Sequence, residues 1–164
     1  MPTDLNVRRL RPADYAIWRY IRRTALKVDP AQFDETLRGF DKTSDHEFQV
    51  ALEHNTIFAA YDEAIPVAIA GSYPVSAPRD GNVVHIFGVW VKPPYRGRNL
   101  AQRLIEHCIP DHAQAELLVR IDNMPAIDAY RRMGFLQANA PADAICYCAT
   151  DNAPGIYMLR RAAP

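Results

Sequence analysis

The nine residues Val83 to Val91 (VVHIFGVWV) constrain this chain more than any other stretch. Most are β-branched or aromatic and apolar residues fall on both faces, the composition of a strand buried mid-sheet with a layer on each side. Pro93-Pro94 ends the strand, because proline cannot donate to a ladder. Beyond the loop, a helix is expected from about Arg98 to Ile109. Leu100, Leu104 and Cys108 form one stripe, with Ala101, Ile105 and Ile109 beside it and polar residues opposite. A strand that enters a helix through a short loop gathers unpaired backbone N–H groups in one place, and the helix dipole favours negative charge there. The loop therefore reads as a seat for a phosphate or pyrophosphate. Arg96 and Arg98 add positive charge, while Gly97 and Ala101 let a ligand approach the backbone. A solvated strand–helix turn is the plain alternative. The segment is neither a nucleotide P-loop, which needs Gly-Lys-Ser/Thr, nor a three-glycine dinucleotide fingerprint.

The flanking patterns build a sheet around this strand. Leu5 to Leu10 reads as a first strand, and Pro12 suits the opening of a helix. In that helix Ile17, Trp18, Ile21, Ala25 and Val28 recur at helical spacing, with Arg19, Arg22, Arg23 and Lys27 on the outer face, until Asp29-Pro30. A weaker helical region over about 31–52 is expected to break near Gly39. Thr56 to Tyr61 and Ile65 to Val75 read as a hairpin around Asp62-Glu63-Ala64. Ala115 to Ile121 is a further strand. Asn123-Met124-Pro125 opens a helix that turns Ala126, Tyr130 and Met133 inward and closes at Gly134. Phe135 begins a strand, and Gly155 to Arg160 is the last. The expected fold is α/β (α+β), a mixed, mostly antiparallel central sheet of about six to seven strands with helices on both faces.

Length and charge narrow the function classes. A chain of 164 residues fits one domain, taken as 1–164. Lysines and arginines number 19, as do aspartates and glutamates, and this balance argues against a nucleic-acid binder. The opening MPTDLNVRRL lacks the apolar core of a signal peptide, and no run reaches the ~20 apolar residues of a membrane span. No membrane association and a cytoplasmic location are expected. Cys108, Cys146 and Cys148 are too few and too oddly spaced for a disulfide framework. Cys146 and Cys148 would point the same way on a strand, but no second pair follows, so no metal is expected.

The segment Val89 to Ala101 resembles the central motif of the GNAT superfamily of acyl-CoA-dependent N-acyltransferases, Val-x-Pro-x-Tyr-Arg-Gly-x-Gly-x-Ala. Asn123, Ala126, Tyr130 and Gly134-Phe135 resemble that superfamily's Asn-x-x-Ala-x-x-x-Tyr-x-x-x-Gly-Phe signature at the usual distance. Val7 to Asp14 is similar to its first strand and helix. The resemblance thus covers nearly the whole chain. It implies acetyl-CoA as co-substrate, with backbone groups of Val89, Trp90 and Val91 on the pantetheine arm. The pyrophosphate would rest on the amides of Arg96, Gly97, Arg98, Asn99, Leu100 and Ala101. Asn123 would touch the cofactor where strand and helix part, and Tyr130 would lie near the thioester sulfur. One residue departs from the pattern: Asn99 replaces a glycine. Asparagine tolerates left-handed backbone best among the non-glycines, so the loop shape survives, but its side chain enters the space near the phosphates.

The implied activity is transfer of acetyl from acetyl-CoA to a primary amine of a small molecule, by direct attack in a ternary complex. Transfer to a protein N-terminus or lysine, and a silent acyl-CoA sensor, are the alternatives. An alkylammonium is only roughly one part in two thousand neutral at pH 7, so a base is useful. His85 is the candidate, six residues before Val91; with strict alternation it would share a face with Val83, Phe87, Val89 and Val91. A core or surface histidine is the other reading. An N–H near Val89 would stabilise the oxyanion, and Tyr130 would protonate the departing sulfur. His107 and His112 read as solvated. His46, His54 and Glu53 lie in regions that often shape the acceptor pocket, and Trp18, Tyr20, Tyr73 and Trp90 read as core aromatics. The acceptor and the oligomeric state, a homodimer among the options, stay open.

Overall fold

A computed structural model describes residues 5–33, 35–76, 79–143 and 155–162. Seven strands form one sheet: β1 (Asn6–Arg9), β2 (Thr56–Asp62), β3 (Ile65–Pro74), β4 (Val83–Val91), β5 (Gln114–Arg120), β6 (Leu136–Gln137) and β7 (Gly155–Arg160). Their order is β1-β2-β3-β4-β5-β7-β6, antiparallel except for β4 against β5. This is the mixed, mostly antiparallel sheet expected from the strand patterns.

Helices cover both faces. α4 (Leu100–Cys108) and α5 (Met124–Arg132) bury Leu100, Leu104, Ile105 and Ile127 against Val67, Ile86, Leu117 and Phe135. α1 (Tyr15–Val28) and α3 (Asp45–His54) cover the other face through Ile21, Ala25 and Leu52, packed on Ile57, Ile69 and Trp90. Each leucine, isoleucine, valine or phenylalanine among these contributes about 1.5–3 kcal/mol on burial. No helix among the described residues is long and apolar enough to cross a membrane, and no His/Cys/Asp/Glu group among them could hold a metal ion. Cys146 and Cys148 lie outside the described residues. Cys108 is buried, and burial pushes its thiol up to about 12, the state of an inert core residue.

Two expectations need correcting, while the break near Gly39 in the helical region after Asp29 falls at 41–44. Gly39 sits inside the short α2 (Leu37–Phe40), where its N–H bonds the capping Thr36 hydroxyl, and Ser44 with Glu47 forms the capping box that restarts the chain as α3. α4 begins at Leu100 because Asn99 adopts the left-handed region, φ 58°. The N-terminal arginines are not one solvated face: Arg8 pairs with Asp14, Arg19 with Asp45 and Arg23 with Asp41, while Arg22 turns inward to Glu35.

The consequential irregularity lies in β4. Ile69 pairs with Trp90 and Gly71 with Phe87, so two residues of β4, Gly88 and Val89, stand opposite Ala70 alone. Gly88 has φ 62°, which a side chain would strain. The bulge inverts the alternation. His85 and Phe87 face the α1 side with Trp90, whereas Val89 and Val91 join Val84 and Ile86 on the α4/α5 side. His85 therefore does not share a face with Val89 and Val91. Opposite the bulge the Phe87 ring lies across Gly71, where an added Cβ would come within 2.7 Å of it. Gly71→Ala is expected to destabilise the fold by about 1–3 kcal/mol through overpacking, read as a lower urea midpoint at unchanged slope.

Candidate active site

β4 and β5 stay in register for three positions, Val83 with Gln114, Val84 with Ala115 and His85 with Glu116. Beyond that the strands part, and the gap holds a cleft of about 680 Å³ lined by Phe87, Gly88 and Val89 on one side and Leu117, Leu118 and Val119 on the other. On the α4/α5 side a groove of about 360 Å³ adjoins it, bounded by Val91, Tyr95, Gly97, Asn99 and Ala101. Val89, Asn123, Ala126 and Tyr130 line both spaces, and so does Gln32 from the turn after α1. On the α1/α3 side a third cavity, about 210 Å³, shares Arg22, Glu35, Phe87 and Gly88 with the cleft. The sheet is thus open from one face to the other at one place, the divergence of two strands.

The groove has the features of an anion cradle. Gly97 and Asn99 are both left-handed (φ 76° and 58°), and a Cβ on Gly97 would meet nothing within 4 Å. Asn99 makes no capping bond with its side chain, so the first-turn N–H groups of α4 have no side-chain acceptor there. The loop is held by its own polar ties: Tyr95 donates to Asp62 at 2.6 Å, and Arg96 donates to the Val91 carbonyl and to Asp29. Asp29 also accepts the Trp90 indole N–H at 2.7 Å. Much of the Arg96 charge is therefore spent within the protein, and Arg98 lies over the Tyr95 ring instead of lining the groove. The Trp90 side chain is buried on the opposite face, which leaves its backbone alone to border the groove. Asn123 caps α5, its side-chain oxygen accepting the Ala126 N–H. Tyr130 packs its ring on Phe135; burial pushes its phenol up to about 12, so it stays protonated at neutral pH.

At the apex of the cleft sits a cluster that the sequence did not reveal. Glu116, buried in β5, accepts hydrogen bonds from Arg79 Nε (3.0 Å), the Tyr157 hydroxyl (2.7 Å) and His85 Nδ1 (3.2 Å). Burial alone would raise its pKa, but the bonds from Arg79, Tyr157 and His85 outweigh it and hold the carboxyl below its ordinary value. An ionised carboxylate only accepts, so His85 carries its proton on Nδ1 and, when neutral, leaves Nε2 as its basic nitrogen. His85 stacks on Tyr73, 5.1 Å between centroids, and lies behind that ring, which itself lines the cleft. Tyr73 and Tyr20 are exposed, not core, because their strand and helix positions face the open side of the sheet and solvent. A carboxylate within AELLVRI was the available sign of Glu116; Arg22, Gln32 and Glu35 carried no such sign.

A family model described as Acetyltransferase (GNAT) family matches residues 17–135, well over half of the chain. The chain belongs to the GNAT family. N-Acetyl transfer is accordingly its class of chemistry. Its fold is similar to that of a GNAT acetyltransferase from Streptococcus pneumoniae (TM-score 0.74, 16% identity, 98% of this chain and 100% of that one). It is also similar to an N-acetyltransferase from Staphylococcus aureus (0.71, 14%, 97% and 98%). A third likeness is to the PaiA N-acetyltransferase of Thermoplasma acidophilum, solved in complex with coenzyme A (0.68, 12%, 97% and 99%). No curated protein matches the chain significantly by sequence.

Glu116 makes the stability of this GNAT domain depend on pH. Its folded pKa lies below the ordinary value of a glutamate carboxyl. Its ionisation therefore stabilises the fold above that value, and this contribution is lost as pH falls through the folded pKa. Glu116→Gln is expected to lower the urea midpoint at pH 7 and to flatten its decline between about pH 5 and pH 3 relative to wild type.

Proposed function

We propose that this single domain transfers the acetyl group of acetyl-CoA to the primary amine of a small molecule, by direct attack in a ternary complex. The observation that carries the reading is the shared wall of Val89, Asn123, Ala126 and Tyr130 between the groove and the cleft. A thioester whose phosphates rest at the N-terminus of α4 would end at that wall. An acceptor entering the cleft from the α1 side would meet it there. The first-turn amides of α4, with Gly97 and Asn99, would hold the pyrophosphate, and the β4 edge at Val89 and Val91 would direct the pantetheine arm. The groove fits such a ligand because Gly97 and Ala101 leave room against the backbone.

The amine nitrogen attacks the thioester carbonyl, a C–N bond forms, the C–S bond breaks, and coenzyme A leaves as its thiol. The bulge at Gly88 and Val89 sets an N–H of β4 outside the regular ladder, where the carbonyl oxygen gathers charge. Tyr130 donates to the departing sulfur. A phenol near 12 is a weak acid, but burial penalises a thiolate in the same way, as Cys108 illustrates in this protein. His85, held by Glu116, is the base available to take the amine proton through solvent in the cleft, because it stands at the apex and not against Val89. No nucleic acid enters this reading, and the location proposed is the cytoplasm. A chain N-terminus as acceptor would reach the same wall through the cleft.

Replacing Tyr130 by Phe should lower kcat by about 10²–10⁴-fold in an amine-dependent thiol-release assay, with little change in the KM for acetyl-CoA. Tight acetyl-CoA binding without release on any amine would reject the enzyme in favour of a sensor.

A further inference from the structure

The acceptor's chemistry is written in the third cavity. Its walls are Trp18, Phe40, Phe48, Ile57, Ile69 and Phe87, drawn from α1, α2, α3, β2, β3 and β4. Trp18 meets Phe48 edge-on at 5.4 Å, and Phe40 meets Phe48 at 5.2 Å, so one side is an aromatic box already locked by packing. The space, about 210 Å³, is somewhat larger than the ~150 Å³ apolar cavity that accepts benzene. It suits one ring or a short branched chain and is too small for a longer group. The cavity is no sealed packing defect, because Phe87, Gly88, Arg22 and Glu35 border both it and the cleft.

The neck between the two spaces is polar, with Arg22 beside Glu35. Glu35 pairs with Arg22 at 3.4 Å while keeping its side chain 37% exposed, and Glu47 adds a second carboxylate on the cavity side. The part-exposed Glu35 carboxylate offers an incoming ammonium an acceptor at the neck. Gly88, at the neck, is followed directly by Val89, at the wall shared with the donor groove. Neighbouring Cα atoms are about 3.8 Å apart, so the neck adjoins that wall and a short tether suits the step between them. Gly88 carries no side chain to bar that path.

We propose that the acceptor is a primary amine carrying a ring-sized apolar group two or three bonds from its nitrogen. The ring fills the cavity beneath α1 and α3, the ammonium passes Glu35, and the nitrogen stands at Val89. This rests on the acetyl-transfer reading and adds to it the side of the acceptor that the enzyme selects. A free arylalkylamine and a peptide whose first residue is Phe share this chemistry.

The test fills the cavity without touching the cleft. Ala51, half-buried on α3, lines the cavity alone, and Ala51→Leu extends three carbons into it on a helix that accepts leucine readily. Calorimetry on the protein saturated with coenzyme A should show phenylethylamine binding at least tenfold more tightly than ethylamine. Ala51→Leu should erase that preference and leave ethylamine within about twofold. Ala51→Met repeats the filling with a more compliant side chain should the leucine variant lose its fold. Equal binding of the two amines by wild type, or a preference untouched by either filling, overturns the assignment. Thiol release from acetyl-CoA is read separately: a ring preference in binding without release on any amine rejects acetyl transfer and leaves the pocket assignment standing. A tetrapeptide beginning with Phe, compared with phenylethylamine in both assays, identifies which source the cavity serves, and binding of either above ethylamine supports the assignment.

Discussion

The parting of β4 from β5 after three paired residues is what the remainder of the structure depends on. A regular parallel pair would close the sheet from edge to edge and leave the two helical layers in separate compartments. Here the ladder stops at His85 and Glu116, and the backbone beyond opens a passage through the sheet. An open sheet edge in an interior is costly unless something engages its polar groups. This chain limits the cost by bulging β4 at Gly88, capping α5 with Asn123 across the gap, and lining the opening with Val89, Leu117 and Val119. The remaining polar edge of β4 is what an extended ligand with amide groups could satisfy.

The divergence is anchored at its apex. Glu116 binds three groups from three elements: Arg79 from the loop before β4, His85 from β4 and Tyr157 from β7. Arg79 also reaches Asp143, so its guanidinium joins the segment after β6 to the same cluster. Removing one partner from such a cluster costs more than the cluster adds in net stability, because it strands buried charge. Asp29 plays a similar part at the other end. Its carboxylate joins the end of α1 to Trp90 and to the Arg96 loop, and so relates the acceptor-side segment to the donor-side cradle.

Much of this was legible in the sequence where local rules govern. VVHIFGVWV had to be a central strand, Asn99 could take a left-handed backbone in place of a glycine, and Gly134 had to close α5 (φ 89°). Those features follow from propensity, proline placement and the conformational freedom of Asn and Gly. What the sequence hid were relations between distant elements. Gly88 can sit in a regular strand or a bulge, and only its pairing with β3 decides; the bulge moved Val89 and Val91 to the face opposite His85. Arg22 has the spacing of an outward arginine, yet Glu35 and the Phe33 ring hold it at the cleft. Glu116 looked like a stray charge in an apolar strand because its three partners lie 31 to 41 residues away.

The same distinction bears on how donor and acceptor specificity are built. The proposed donor cradle is local: a strand end, a short loop and the first turn of one helix, about a dozen consecutive residues, so a motif can carry it. The proposed acceptor cavity takes its walls from six elements separated along the chain, and the same residues pack the core. Phe48 and Phe40 would be needed to seal α3 and α2 against α1 even if nothing bound there. On the proposed reading, specificity on that side would follow from where the core stops short of filling. Under the proposed assignment a single substitution such as one at Ala51 would alter it without disturbing the donor site, because Ala51 lines that cavity and not the groove from Val89 to Ala101.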